Sequence, residues 1–103
     1  MMNIVDAHQH FWDLEELELS SLPDDLNHSY MPKDLSPELA RAGVDYTVLV
    51  QGFPQTIETN KWYFRQANAN TFVIGVVAWA DLGHPDQLGQ QLDNLQAEPK
   101  FVG

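Results

Sequence analysis

Residues 72–79, Phe72-Val73-Ile74-Gly75-Val76-Val77-Ala78-Trp79, form an almost unbroken apolar run. A strand with one solvated face would place a polar residue at every second position, so this run indicates a strand that is buried on both faces. Two shorter runs have the same character, at residues 3–7 and at residues 46–51. Strands of this kind are typical of a parallel sheet that is covered by helices.

The segments between these runs carry helix signals. Ser36-Pro37-Glu38 supplies an N-cap, a proline for the first helical position and a first-turn acid, and Gly43 supplies a left-handed stop. We therefore expect a short helix at residues 37–42.

Two further helices are expected, and one long loop. Thr56 is expected to cap a helix that ends near Asn68 or Asn70. The other helix is expected at residues 86–97, with one narrow apolar stripe formed by Leu88, Leu92 and Leu95. Residues 14–34 contain repeated acids and two prolines, which predict a loop with at most a short helical turn.

The predicted order is strand, helix, strand, helix, strand, helix, strand, with the fourth strand opening at Phe101-Val102-Gly103. Parallel βαβ units of class α/β can build a doubly wound open sheet or a TIM (β/α)8 barrel. A Gly-x-Gly-x-x-Gly fingerprint is missing after the first strand, where His8-Gln9-His10 stands instead. Because a barrel needs about 250 residues, the chain would form its first three to four strands, and residues 1–103 would be the N-terminal part of a barrel domain.

Composition excludes several classes of function. Fifteen acids against five bases give a formal net charge of −10, which disfavours nucleic acid and membrane surfaces as partners. The chain has no cysteine, which excludes disulfides, thiolate metal sites and a cysteine nucleophile. No apolar run approaches the roughly 20 residues of a membrane span, so we expect a cytoplasmic protein.

The chemical candidates are two histidines at the end of the first strand. His8 and His10 are two residues apart, so both imidazoles project to the same side if the strand continues to residue 10. Parallel barrels place their chemistry at this end of the strands, and neutral imidazole binds zinc and similar divalent metals. The alternative is a hydrogen-bonded corner without chemistry.

A family resemblance rests on motifs spread along the whole chain. These motifs are Ile4-Val5-Asp6-Ala7-His8-Gln9-His10-Phe11-Trp12-Asp13, Tyr30-Met31-Pro32-Lys33-Asp34-Leu35, Val48-Leu49-Val50-Gln51, Gly75-Val76-Val77-Ala78-Trp79-Ala80-Asp81-Leu82 and Pro99-Lys100-Phe101-Val102-Gly103. In this order they resemble the N-terminal part of the amidohydrolase superfamily, in the branch of L-fuconolactonase-like TIM-barrel hydrolases that open sugar lactones or dicarboxylate lactones.

The resemblance implies a hydrolase that attacks a lactone carbonyl with water. His8 and His10 would be its catalytic residues, either as ligands of a divalent metal, zinc first, or as hydrogen-bond donors to substrate in a metal-independent enzyme. The family's remaining functional residues come from the fifth, sixth and eighth strands, so we expect the isolated chain to be inactive. The alternatives are a decarboxylase of the same superfamily and a non-catalytic truncated product that self-associates through open sheet edges, giving a homo-oligomer.

Three other polar residues are candidates for binding a small-molecule substrate. Gln51 ends the second strand, Asp81 follows the third strand, and His28 lies in the long first loop. Each also has a simpler explanation: Gln51 and Asp81 would satisfy loop backbone, and His28 would be solvated. The acids at residues 15–18 are expected to form a solvated face, or else the rim of the site.

Overall fold

Strands and helices alternate along the chain in the computed structural model, which describes residues 2–17, 19 and 22–103. Its elements are β1 Val5–Gln9, α1 Pro32–Ala42, β2 Tyr46–Val50, α2 Ile57–Asn68, β3 Val73–Val77 and α3 Pro85–Gln96. The strands pair in parallel in the order β1-β2-β3. This confirms the predicted α/β class and the parallel pairing of the three apolar runs.

The last residues extend the sheet beyond β3. The amide of Val76 donates to the carbonyl of Lys100 over 2.7 Å, and the amide of Ala78 donates to the carbonyl of Gly103 over 2.8 Å. Val76 and Phe101 form a parallel bridge. A fourth strand therefore opens here, as the sequence predicts.

Helix α1 begins five residues before the predicted position. Pro32, rather than Pro37, takes the first helical position, and the Asp34 side chain accepts the amide of Met31 at 2.8 Å. This acid satisfies an amide at the helix start, which outweighs the Ser36 signal. Pro37 then lies inside the helix, where it lacks one amide donor. The predicted stop at Gly43 is confirmed, with φ at +71°.

Helix α2 contributes four of the ten core residues, more than any other element. Thr56 caps it as predicted, with its hydroxyl accepting the amide of Thr59 at 3.0 Å. The residues that form this core are Phe11, Leu17, Leu49, Trp62, Tyr63, Phe64, Ala67, Val73, Val76 and Leu95. Lys100 joins the end of α2 to the start of β3, because its ammonium donates to the carbonyls of Ala67 and Val73 at 2.5 and 2.7 Å.

Helix α3 packs through part of its predicted apolar stripe. Leu95 is buried, Leu88 is half-buried, and Leu92 remains 39% exposed. The helix begins at Pro85 with His84 at the N-cap position, one residue before the predicted start.

Strand β1 is the edge of the sheet and begins and ends two residues later than predicted. The long loop after it, residues 10–31 and here called loop 1, is closed by an antiparallel bridge between Trp12 and Tyr30. The predicted helical turn is a 3-10 turn, Asp24–Leu26. Glu18, which belongs to the predicted acidic segment, lies outside the described residues.

The molecule is a slab of 46 × 38 × 18 Å. Its short dimension fits one sheet with one layer of helices, because sheet and helix layers pack about 10 Å apart. Within residues 2–17, 19 and 22–103, no helix is long and apolar enough to cross a membrane.

Candidate functional site

His8 and His10 converge beyond the carboxyl end of β1. Their Nε2 atoms are 3.2 Å apart, and the two rings meet edge to face with centroids 4.9 Å apart. Both side chains are exposed. The sequence predicts this convergence from the spacing of two residues, although His10 itself lies one residue beyond the strand.

A backbone carbonyl fixes the tautomer of His10. Its Nδ1 lies 2.9 Å from the carbonyl oxygen of Val50, and a carbonyl only accepts, so Nδ1 carries the proton. The Nε2 atom of neutral His10 then has a free lone pair that faces His8. His8 can donate its own Nε2 proton to that lone pair, or both nitrogens can face one cation.

The separation of the two nitrogens suits one metal ion. Zinc–nitrogen bonds of about 2.0–2.1 Å at a tetrahedral angle hold two nitrogens about 3.3 Å apart, close to the observed 3.2 Å. The Nδ1 contact of His10 also resembles the outer contacts that orient metal-binding histidines. The pair thus fits as half of a metal site. Across the described part of the chain, no group of three or more acids and histidines is arranged to hold a metal.

Asp6 supports the pair from below. Its Oδ1 accepts the amide of His8 at 3.2 Å, and the hydroxyl oxygen of Thr47 lies 3.1 Å from the Asp6 carbonyl oxygen and 3.3 Å from its Oδ2. The bond to the amide makes Asp6 a structural support for His8.

A cavity of about 840 Å³ opens beside His10, between loop 1 and the loop that follows β2. Its walls are mainly apolar, and its lining residues are His10, Phe11, Trp12, Leu19, Leu22, Pro23, Leu26, Gln51, Gly52, Phe53, Pro54 and Gln55. The Oε1 atom of Gln51 is buried and has no hydrogen-bond partner among the described residues. Among the predicted substrate-binding residues, Gln51 is thus the one that shares a cavity with His10.

The other two predicted substrate-binding residues have different surroundings. Asp81 accepts His84 Nδ1 at 2.5 Å and the amide of Gly83 at 3.0 Å, so its carboxylate organises the loop before α3. The His28 ring meets the Tyr30 ring edge to face, and the His28 carbonyl accepts the Trp12 indole at 2.6 Å. Neither residue lines the cavity beside His10.

Loop 1 is fastened to α2 by one of the acids predicted to be solvated. The indole of buried Trp62 donates to the Glu16 carboxylate over 2.5 Å, and Leu17 is buried next to it. This attachment holds the loop that forms one wall of the cavity. Sequence reasoning missed it, because a glutamate in an acidic run gives no sign of a buried partner.

Tyr63 is a second residue that sequence reasoning did not connect with the site. Its side chain is 1% exposed, and its hydroxyl accepts the amide of Gly52 at 2.6 Å. Burial raises the pKa of Tyr63 above the ordinary value, and the hydrogen bond from Gly52 opposes part of that rise. In the sequence, Tyr63 reads as one more aromatic residue on a packed helix.

The chain is similar to known proteins in sequence and in fold. No family model matches the chain. The chain is 39% identical over 102 residues to an L-fucono-1,5-lactonase from Burkholderia ambifaria. The match covers 96% of this chain and 34% of the relative. It thus spans about a third of the length of that relative.

Two solved structures share the fold. Both are amidohydrolases from Burkholderia multivorans that are 23% identical to the chain. The one with bound zinc has a TM-score of 0.74 and covers 89% of this chain and 33% of its own. The one with bound HEPES has a TM-score of 0.81 and covers 99% of this chain and 36% of its own.

These matches confirm the resemblance drawn from the sequence. The chain matches about a third of a lactonase in sequence, and its three parallel strands with their helices share the fold of part of the two solved amidohydrolases. Of the two architectures that the sequence left open, the barrel is therefore the correct one.

Proposed function

We propose that residues 1–103 are the N-terminal part of a barrel domain that hydrolyses a lactone, with His8 and His10 in the active site. The observation that carries this proposal is the convergence of the two Nε2 atoms at 3.2 Å, with the His10 tautomer held by the Val50 carbonyl. The homologous relative is an L-fucono-1,5-lactonase, which favours lactone hydrolysis over the decarboxylase alternative.

The two histidines would orient the lactone carbonyl. Neutral His8 can donate from Nε2, and a carbonyl oxygen at this position would accept that hydrogen bond in place of His10. The carboxylate that activates water would come from a later strand, because the Asp6 carboxylate accepts the amide of His8 within β1. The isolated chain is for this reason proposed to be inactive.

A divalent metal fits the same two residues. His8 and His10 would supply two of its ligands, and zinc is the first candidate because one amidohydrolase of the same fold contains it. When bound, such an ion would polarise the lactone carbonyl and lower the pKa of its water.

The cavity favours an uncharged substrate. No lysine or arginine is found among the described residues that line it, and Asp24 and Asp25 lie on the same loop as its apolar wall. A carboxylate placed there would lack a cationic partner, so a neutral sugar lactone fits better than a dicarboxylate lactone. Gln51, whose buried amide oxygen has no partner in the described part of the chain, would contact the substrate. Asp81 and His28 would shape the loops around it.

A chimera tests the proposal. This chain would replace the homologous third of the Burkholderia ambifaria lactonase, and the hydrolysis of L-fucono-1,5-lactone would be followed. We expect an active chimera, a loss of at least about 100-fold in kcat/KM for His8→Asn and for His10→Asn, and little change for His84→Asn. The isolated chain should show no hydrolysis. A chimera that folds and stays active without either histidine would refute the assignment.

A further inference from the structure

A buried phenol on α2 is linked to the histidine pair through the end of β2. The Tyr63 hydroxyl accepts the amide of Gly52 at 2.6 Å. Two residues before Gly52, the carbonyl of Val50 accepts His10 Nδ1 at 2.9 Å. Only the short strand end at residues 50–52 separates the phenol from the imidazole.

Gly52 lies between the two side chains. A Cβ atom on this glycine would be 3.7 Å from Nδ1 of His10 and 3.8 Å from the hydroxyl oxygen of Tyr63. A shift of the Gly52 backbone would therefore change the packing against His10 as well as the direction of the Val50 carbonyl.

We propose that Tyr63 is a positioning residue that holds the strand end at residues 50–52 and thereby fixes the tautomer and orientation of His10. The proposal rests on the proposed function, because the orientation of His10 matters for a residue of the active site. A Nδ1 proton on His10 leaves its Nε2 lone pair directed toward His8, which is the form that can bind a metal or accept a proton.

A role in packing alone would need the ring and not the hydroxyl. The ring is buried against Trp62, whose centroid is 5.7 Å away, and phenylalanine would fill the same space. The hydroxyl adds the bond to Gly52, which lies at the edge of the cavity beside His10. Tyr63→Phe separates the two roles, because it keeps the ring and removes the oxygen.

The test reads the tautomer of His10 by nitrogen-15 NMR of the imidazole groups in the 103-residue chain. The four histidines are assigned with single His→Asn variants. In the wild-type chain we expect His10 in the Nδ1–H form, and in Tyr63→Phe a mixture of both tautomers. Tyr46→Phe, which removes a hydroxyl at the opposite end of β2, should leave the signals of His10 unchanged.

Zinc binding gives a second readout that needs no lactone. Titration of each chain with zinc chloride, followed by the histidine signals, should show an affinity lowered by about 10- to 100-fold in Tyr63→Phe. If Tyr63→Phe folds and keeps both the wild-type tautomer and the wild-type zinc affinity, the proposal is wrong and Tyr63 only packs.

A second variant covers the case in which Tyr63→Phe does not fold. Tyr63→3-fluorotyrosine keeps the ring and the hydroxyl but weakens the oxygen as an acceptor, so a smaller shift of the His10 tautomer in the same direction is expected. An unchanged tautomer in this variant would overturn the proposal. A positive NMR result together with an inactive chimera would leave the positioning role standing and reject lactone hydrolysis.

Discussion

Ionisation of a single residue, Tyr63, makes the stability of the chain depend on pH. Burial raises its pKa above 10.0, whereas the phenol of the unfolded chain ionises near 10.0. Between these two values the unfolded state loses the proton and the folded state keeps it. The stability contributed by Tyr63 is therefore complete below pH 10.0 and is lost as the pH rises toward the folded pKa.

We expect the stability difference between the wild-type chain and Tyr63→Phe to shrink above pH 10.0. Lys100 acts in the opposite direction, because burial lowers its pKa and stability rises as the pH approaches 10.5. Both chains contain Lys100, so its effect cancels in the comparison. Urea unfolding from pH 8 to pH 11.5 measures the difference, and parallel curves for the two chains would contradict this assignment.

The start of α1 gives a prediction at the scale of one element. The structure places Asp34 on the amide of Met31, whereas the sequence favours Ser36 as the cap. Asp34→Ala should lower the free energy of unfolding by about 1 kcal/mol, the usual cost of losing a capping side chain. Ser36→Ala should change it by less than about 0.5 kcal/mol, because Ser36 lies inside the helix. Urea unfolding at pH 7 distinguishes the two variants. A larger loss of stability in Ser36→Ala than in Asp34→Ala would support Ser36 as the cap.

This helix shows where sequence reasoning succeeds and where it fails. Gly43 and Thr56 act as predicted because a left-handed stop and a side-chain cap are local features. The start of α1 was missed because Pro32 and Pro37 are both acceptable first helical residues. The choice between them depends on Asp34, whose contact the sequence does not reveal.

The site also has features that the sequence predicts and contacts that it does not. The spacing of His8 and His10 predicts their convergence, since strand geometry alone sets it. The contacts of Glu16 with Trp62 and of Tyr63 with Gly52 join residues 46 and 11 positions apart. Such contacts depend on how loop 1 and α2 pack on the sheet, so no local pattern announces them.

The shape of the whole molecule exposes more surface than a compact chain would. Its accessible area is 6813 Å², against about 5,900 Å² for a compact monomer of 11.7 kDa. Its radius of gyration is 14.5 Å, against about 13 Å for this length. Four apolar side chains on or beside the sheet are more than two-fifths exposed: Ile4, Val5, Ile74 and Val102. These side chains give the sheet an apolar surface that is open to solvent.

We therefore expect the isolated chain to self-associate through this open sheet. Strand β1 lies at the edge of the described sheet, where unpaired backbone groups favour pairing with a second copy. Val5→Lys adds a charge on that strand and should shift the chain toward monomer, whereas Leu82→Lys, in an exposed loop, should not. Light scattering after size exclusion at several concentrations gives the mass. A wild-type chain that stays monomeric at every concentration would contradict this expectation and show that the sheet edge can remain exposed to water.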